Sequence, residues 1–331
     1  MFFRMNLRRT PLIYSNFNSI HFFKFYLTLL LFAFSISCSN LINKTIQSKR
    51  EIPELCFGIR DKRVKLEVTP YTITPVNLKK LRSHFSDNAI SVANDIGVTE
   101  YLLEFLSLGG KNKATNRKLF IMKEVQERIS LSQMELSSMI AIADCERDRS
   151  MQLASHLDIL TNKEMNRLAV RSLLSTVTGT SLAAILELTG NTNQLYLAAD
   201  VAFALLAGYF AYQSVNIETK GYLGHSHNLL RELKDKPYKP ELFYSTVWNF
   251  LNNENYPNEP SERNEILHLW SKYEVTAEDE KLFYSDGGKY SSPQLYKLVL
   301  KYDTLKTRMA YMQLELRQLQ EELENKEHEF L

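Results

Sequence analysis

Residues 168–217 read LAVRSLLSTVTGTSLAAILELTGNTNQLYLAADVAFALLAGYFAYQSVNI, and the rest of the chain is interpreted around this stretch. It contains two uncharged, mostly apolar segments, 172–186 and 201–217, on either side of a polar turn at 189–193. The segments are bounded by the charged residues Arg171, Glu187, Asp200 and Glu218. Two apolar segments joined by a polar turn predict a helical hairpin.

The regions before and after this hairpin carry the longest helical patterns in the chain. Neither glycine nor proline occurs in 111–178, and apolar residues recur there at three- and four-residue spacing. The same spacing continues over about five heptads in 293–329. Its predicted coiled-coil seam consists of Leu295, Leu298, Leu305, Met309, Met312, Leu316, Leu319 and Leu323. Because a hairpin returns the chain antiparallel, we expect the two long helices to pair.

The predicted fold is therefore all-α, with a long antiparallel coiled-coil stalk, an apolar helical hairpin and a small helical aromatic head. The head is assigned to the segment that contains Trp248, Trp270 and many tyrosines. Residues 64–74 are the one fair strand candidate, and without a second strand we expect an extended strap. The predicted segments are a signal peptide 1–37, a tether 38–63, short helices and strap 64–110, the stalk helix 111–167, the hairpin 168–218, the aromatic insert 219–292 and the C-terminal coiled-coil helix 293–331.

The N-terminal region has the pattern of an export signal. Thirteen uncharged, mostly apolar residues follow Lys24, which suits a signal-peptide core and is shorter than the roughly 20 residues of a spanning helix. The core ends in Ser35-Ile36-Ser37-Cys38, which resembles a bacterial lipoprotein signal, although that family usually has leucine at the position of Ser35. The resemblance implies export and a lipid anchor on Cys38. An ordinary cleaved signal and an uncleaved anchor are the alternatives.

Charge excludes one class of partner. The formal net charge is +2, but Arg4, Arg8, Arg9 and Lys24 lie in a leader without acidic residues, so the remainder carries 2 − 4 = −2. A chain without a basic surface is not expected to bind nucleic acid.

The remaining candidates for chemistry are few. Cys56 and Cys145 could pair in an oxidising compartment, but spacing does not show proximity, and a buried free thiol is the plainer interpretation. The charged run 144–149 interrupts the apolar stripe, and we expect it to be a solvated face rather than a buried ionic group. The pair His225-x-His227 would not face one ligand on a helix, and no phosphate loop or nucleophile elbow occurs. We predict no metal, no cofactor and no catalytic residues.

The hairpin is the predicted functional site. Small residues recur four apart in both arms, a spacing that allows close helix packing in membranes. The predicted site residues are Gly179, Ala183, Glu187, Asp200, Ala204 and Gly208. The arms either insert in lipid, which we favour, or form the core of a soluble bundle. If they insert, Glu187 and Asp200 must be neutral, paired or carried to the far side of the membrane.

The run Ala143-Asp144-Cys145-Glu146-Arg147, the apolar hairpin, the aromatic insert and the terminal coiled coil together resemble uncharacterised envelope lipoproteins of the Bacteroidetes. The resemblance implies lipid anchoring, in the outer membrane facing the periplasm, and no activity. We expect a non-enzymatic envelope lipoprotein with a structural or partner-organising role. Its expected partners are membrane lipid and, through the coiled coil, a second copy or an envelope complex. The alternative is a membrane-active protein that perforates or remodels a bilayer, since the layout is similar to α-helical pore-forming toxins.

Overall fold

A computed structural model describes residues 45–48, 52–53, 56–57, 67–108, 115–188, 193–253, 260–273 and 276–330. The predicted signal peptide, Cys38 and most of the tether lie outside these residues, so export and lipidation stay predictions.

The described residues form ten helices and three short strands. The helices are α1 (Pro75–Arg82), α2 (Asp87–Asp95), α3 (Thr99–Ser107), α4 (Thr115–Leu188), α5 (Asn193–Val215), α6 (Leu229–Asp235), α7 (Ser245–Asn252), α8 (Glu262–Ser271), α9 (Ala277–Phe283) and α10 (Ser292–Phe330). The strands are β1 (Thr45–Gln47), β2 (Glu218–Gly224) and β3 (Gly287–Ser291). The prediction of a mostly helical protein is confirmed.

The chain divides into two units. Of the described residues, those within Ile46–Arg167 and Thr219–Leu331 form the body, and those within Leu168–Glu218, with Thr45, form the hairpin unit. Helix α4 therefore contributes its first part to the body and its last part to the hairpin unit.

Short helices at the start of the body have clear sequence causes. The side chains of Thr74 and Ser86 accept hydrogen bonds from backbone N–H groups in the first turns of α1 and α2. Gly97 has a φ of +74°, which favours glycine and separates α2 from α3. Helix α2 buries small side chains, Ala89 and Ala93 among them, and packs against α10. Ser86 followed by Asp87 is a normal helix start for α2.

Helices α4 and α10 run antiparallel in the body. Arg147 Nε donates to Asp303 Oδ1 at 2.7 Å, and Lys306 Nζ donates to Asp144 Oδ1 at 2.7 Å. The later residue of α4 therefore pairs with the earlier residue of α10, as expected for antiparallel helices. All eight predicted seam residues are buried in α10. Helix α10 also packs against α2, α7 and α8, so its stripe is core of a multi-helix body, and a coiled-coil stalk is not established.

A small sheet corrects the all-α prediction. The strand order is β1-β2-β3, and β2 pairs with β3 antiparallel from Lys220↔Ser291 to Gly224↔Gly287. Strands β2 and β3 were missed because they are rich in glycine, which has low β propensity. Gly221 is needed for close packing, since a Cβ there would lie 2.8 Å from Leu153 Cδ1 of α4. The described part of the predicted strap, 67–74, forms no strand.

The aromatic insert is part of the body rather than a separate head. Its helices α7 and α8 pack against each other and against α10, and α7 also packs against α2. Trp270 is buried, and its Nε1 donates to Lys301 O of α10 at 3.2 Å. The indole of Trp270 therefore joins the aromatic insert to the C-terminal helix by a hydrogen bond.

Cys56 and Cys145 form a disulfide, with their Cα atoms 5.4 Å apart, so the expectation of a free thiol is wrong. The bond joins the N-terminal segment of the body to α4 across 89 residues of sequence. Spacing could not reveal this pairing, because the fold brings the residues together. On chain-entropy grounds, closing a loop of this length contributes about 4 to 5 kcal/mol to stability.

Candidate membrane-binding site

The two arms of the hairpin contact each other directly. Ser172 Oγ on α4 donates to Ala207 O on α5 at 2.9 Å. Gly179 faces Phe203, and a Cβ added at Gly179 would lie only 2.4 Å from Phe203 Cβ. The close approach of the arms therefore requires glycine at this position.

Four hydroxyl groups in the first arm are satisfied within their own helix. Ser175 donates to Arg171 O at 2.9 Å, and Thr176 donates to Ser172 O at 3.1 Å. Thr178 and Thr180 bond to preceding carbonyls in the same way. Such back-bonding lets serine and threonine enter an apolar environment without an unpaired hydroxyl.

Large aliphatic side chains of both arms are exposed. Leu173 is 66% exposed, Leu188 88% and Val215 79%. The others are Val170, Leu174, Val177, Leu182, Ile185, Leu197, Val201, Leu205 and Leu206. A soluble monomer rarely exposes so much contiguous apolar surface. In this single chain the arms are not bundle core.

The arms are long enough to cross a bilayer. Two helical stretches, Asn116–Ile185 and Leu197–Val215, are long and apolar enough to cross a membrane by length and composition, and their most apolar parts are almost entirely unburied. Helix α5 has 23 residues, about 35 Å at 1.5 Å per residue, against a hydrocarbon layer of about 30 Å. Membrane association is therefore compatible with the structure.

Known proteins supply no assignment for this site. No protein-family model, no curated protein and no solved structure matches the chain. Over the residues that the structure describes, no three His, Cys, Asp or Glu side chains form a group that could hold a metal ion.

The predicted hairpin residues occupy different surroundings. Asp200 and Ala204 are exposed on α5, and Ala183 is half-buried on α4. In the part of the chain that the structure describes, no atom lies within 4 Å of a Cβ added at Gly208, in contrast to Gly179. Glu187 belongs to α4, but its side chain lies outside the described set.

A buried ionic cluster in the body was not predicted. Arg149 Nη1 donates to both Glu146 carboxylate oxygens, at 2.8 and 2.7 Å, and both side chains are buried. Arg149 Nη2 donates to Gly224 O at 3.1 Å. His225 Nδ1 lies 3.7 Å from Glu146 Oε2, and neither ring nitrogen of this buried histidine has a hydrogen-bond partner among the described residues. We define Glu146, Arg149 and His225 as the buried cluster.

The solvated-face prediction for 144–149 is thus wrong for two of the five charged residues in the run. Asp148 is exposed, but Glu146 and Arg149 point into the body. His225 and His227 also do not lie on a helix, since they follow β2 directly. His227 is exposed and stacks on Phe57, with ring centroids 4.9 Å apart.

A lysine is enclosed by aromatic rings elsewhere in the body. Lys301 Nζ lies 4.8 Å from the Trp270 ring centroid and 5.4 Å from that of Tyr284. Burial lowers the pKa of Lys301 to about 8 and raises the pKa of Tyr284 to about 12. Cation–π contact compensates part of the cost of burying the ammonium group. Sequence alone could not distinguish this lysine from the exposed ones on α10.

Proposed function

We propose that this chain is a membrane-attached, non-enzymatic protein of the cell envelope whose hairpin unit inserts in a bilayer and whose body organises partners. The observation that carries the proposal is the exposed aliphatic surface of both hairpin arms. Lipid is the occupant that fits this surface, because the arms are apolar around much of their circumference and five hydroxyls of the first arm are hydrogen-bonded within the hairpin.

The free energies of membrane insertion determine how the hairpin would lie in a bilayer. The twelve exposed aliphatic residues contribute about 0.3 to 0.6 kcal/mol each at the centre of a membrane, or about 4 to 7 kcal/mol together. A carboxylate such as Asp200 costs about 2.5 to 3.5 kcal/mol there. Burying both acids near the turn would cancel most of the gain. The proposal therefore places the turn with Glu187 and Asp200 at the far interface.

Tyrosines at the other end of α5 support this orientation. Tyr212 is exposed, and Gln213 Nε2 donates to the hydroxyl of Tyr209 at 2.7 Å. Tyrosine is enriched at membrane interfaces, where its ring meets lipid and its hydroxyl stays in polar surroundings.

Two further features support an exported, partner-organising protein. The Cys56–Cys145 disulfide fits an oxidising compartment such as the periplasm, to which a lipidated Cys38 would lead. The antiparallel ion pairs between α4 and α10 support a coiled-coil pairing of these helices within the body. The platform for a second copy or another envelope protein would be the outer face of that pair.

Vesicle flotation with a single charge change tests the proposal. In a Cys38→Ala background, which removes the proposed lipid anchor, Ala204→Asp should reduce vesicle binding on the order of 100-fold, as expected for about 2.5 to 3.5 kcal/mol. The matched control is Ala141→Asp, because Ala141 is an exposed alanine on the body part of α4. Ala141→Asp should bind like its parent. Undiminished binding of the Ala204→Asp protein would rule out insertion of α5.

A membrane-active role is the second candidate, and the open position of Gly208 favours it. The small pair Ala204 and Gly208 leaves α5 with a face on which another helix can pack closely, as pore assembly requires. Dye release from liposomes at micromolar protein separates the two roles. Release that Gly208→Leu abolishes would favour the pore, whereas binding without release would favour the organising role.

A further inference from the structure

The outer face of the α4–α10 pair carries a band without charge. Segments 129–143 of α4 and 309–316 of α10 contain one charged residue each, Glu135 and Glu315. Glu135 is buried and accepts a hydrogen bond from Thr246 Oγ1 at 2.6 Å, and Glu315 is half-buried, so both acids are withdrawn from the outer face. A groove between the two helices is lined here by six neutral residues, which we call the neutral band: Ser130, Gln133, Met134, Ser137, Gln313 and Leu314.

The neutral band has the composition of a protein interface. Its two apolar side chains are well exposed, Met134 by 61% and Leu314 by 63%. Ion pairs flank the band at both ends, Lys123–Glu127 and Arg317–Glu321 at one end and Asp144–Lys306 and Arg147–Asp303 at the other. Interfaces between proteins are likewise depleted of charge at the centre and polar at the rim.

The α4 part of the band has the spacing of a hole for a helical side chain. Its four residues stand at positions i, i+3, i+4 and i+7, from Ser130 to Ser137. In knobs-into-holes packing, four residues of one helix receive one side chain of the facing helix. The two short serines leave room beside Met134 for a branched aliphatic knob. Leu314 is such a knob, and the chain itself carries it on the same face.

The register of α4 and α10 places the hole and the knob at nearly the same height. The two ion pairs between these helices show that three residues back on α4 correspond to three residues forward on α10. Continued from these pairs, Met134 is level with Leu316, so Leu314 lies about 3 Å away along the axis at 1.5 Å per residue. A two-fold axis parallel to the helices would bring α10 of one copy over α4 of another and keep each residue at its height.

We propose that the neutral band is the interface of a homodimer, in which Leu314 of each copy enters the hole around Met134 of the other. This inference rests on the proposed partner-organising role and names a second copy of the chain as the partner. The face between the flanking ion pairs is about 25 Å long and two helices, or about 20 Å, wide, which gives about 500 Å² per copy. Both copies together reach the lower limit of about 1,000 Å² for a specific interface, so we expect a weak dimer in dilute solution.

Sedimentation velocity of the full chain in density-matched detergent micelles measures the association. We expect exchange between monomer and dimer at micromolar protein. Leu314→Glu places a charge in the desolvated hole and should raise the dimer dissociation constant at least tenfold. Leu300→Glu is the matched control, because Leu300 is an exposed leucine of the same helix that lies outside the band. It should associate like the native chain, and the far-ultraviolet circular dichroism of both variants should be native.

Cysteine cross-linking tests the two-fold arrangement itself. In a Cys38→Ala background, the Met134→Cys and Leu314→Cys chains are oxidised separately and as a mixture. Because each knob meets the hole of the other copy, we expect the mixture to form the heterodisulfide at least tenfold faster than either variant links to itself. Faster linking of either variant to itself would overturn the arrangement.

Two sedimentation results would also overturn the dimer. One is a native chain that stays monomeric up to about 100 μM. The other is association that Leu314→Glu does not weaken, because the copies would then meet through another surface. Vesicle flotation of the native chain separates this inference from the proposed function. A monomer that floats contradicts the dimer alone, whereas a dimer that does not float contradicts membrane insertion alone.

Discussion

At the scale of single residues, burial separates two ion pairs that look alike in the sequence. Glu146 and Glu164 both lie on α4 and both pair with an arginine three residues later, Arg149 and Arg167. The first pair is buried, with its atoms 2.7 Å apart, whereas the second joins the exposed Arg167 to the half-buried Glu164 at 3.6 Å. Charge pattern alone predicts the same solvated role for both, which is why the buried cluster was missed.

Removal of the glutamate should change the free energy of unfolding very differently in the two pairs. Glu146→Ala leaves Arg149 charged and buried, and we expect a loss of about 3 to 5 kcal/mol in the free energy of unfolding. Glu164→Ala should cost about 0 to 1 kcal/mol. Urea unfolding followed by circular dichroism measures both. Equal, small losses would show that Arg149 is hydrated in solution.

The titration of Glu315 predicts how the stability of the fold changes with pH. Burial, aided by the nearby Glu262, raises the pKa of Glu315 from 4.5 to about 7. Because the native state holds this proton more tightly, Glu315 favours folding below pH 4.5 and loses that contribution as the pH rises through 7. After allowance for partial solvent exposure, the change is about 1 to 2 kcal/mol.

Glu315→Gln removes this titration, so the variant should be more stable than the native chain at pH 8 and closer to it at pH 4.5. Urea unfolding at several pH values provides the comparison. Glu321→Gln, at an exposed position on the same helix, should keep the native pH dependence. An unchanged profile for Glu315→Gln would mean that its carboxyl titrates normally.

At the scale of elements, periodicity predicted helices well and the sheet poorly. The heptads of α10 and the breaker-free run of α4 are strong local signals, and both helices are observed. Strands β2 and β3 depend on glycines whose role is tertiary: Gly287 has a φ of +127°, and a Cβ there would lie 2.5 Å from Leu223 O. Such close approach of two backbones leaves no alternating apolar pattern in the sequence, so these two segments were not predicted to be strands.

The two hairpin glycines make a matched pair at this scale. Gly179→Ala forces the arms apart, because the new Cβ meets Phe203 at 2.4 Å, whereas Gly208→Ala meets nothing within 4 Å. We expect Gly179→Ala to increase amide hydrogen exchange in α5 at least fivefold in vesicle-bound protein. Gly208→Ala should exchange like the native chain. Similar exchange in both variants would indicate that the arms do not pack through Gly179.

At the scale of the whole molecule, contacts within the body hold together the two points of the chain between which the hairpin unit is inserted. Thr219 Oγ1 lies 2.6 Å from Thr161 Oγ1 and donates to Leu157 O at 3.2 Å. The body thus holds its own two chain ends near each other, on α4 and on β2. The apolar pattern of 168–217 indicated the hairpin, but these hydroxyl contacts had no signal in the sequence.

Replacement of 168–217 by a short Gly-Ser linker should therefore leave the body folded. Loop closure between neighbouring ends is entropically cheap, and the buried residues of the body are retained. We expect the midpoint of thermal unfolding in detergent-free buffer to stay within about 5 °C of that of the full chain in micelles, as for a change near 1 kcal/mol. Differential scanning calorimetry provides the measurement.

The same replacement should abolish vesicle binding when Cys38 is changed to Ala, because the exposed aliphatic arms are then absent. Thr219→Val in the linker variant is the informative control. It removes the hydroxyl that joins β2 to α4 while keeping a similar shape, and it should lower the unfolding midpoint because Leu157 O loses a donor. An unfolded linker variant would mean that the arms supply contacts that the body needs. The hairpin would then be a structural element rather than a separable membrane anchor.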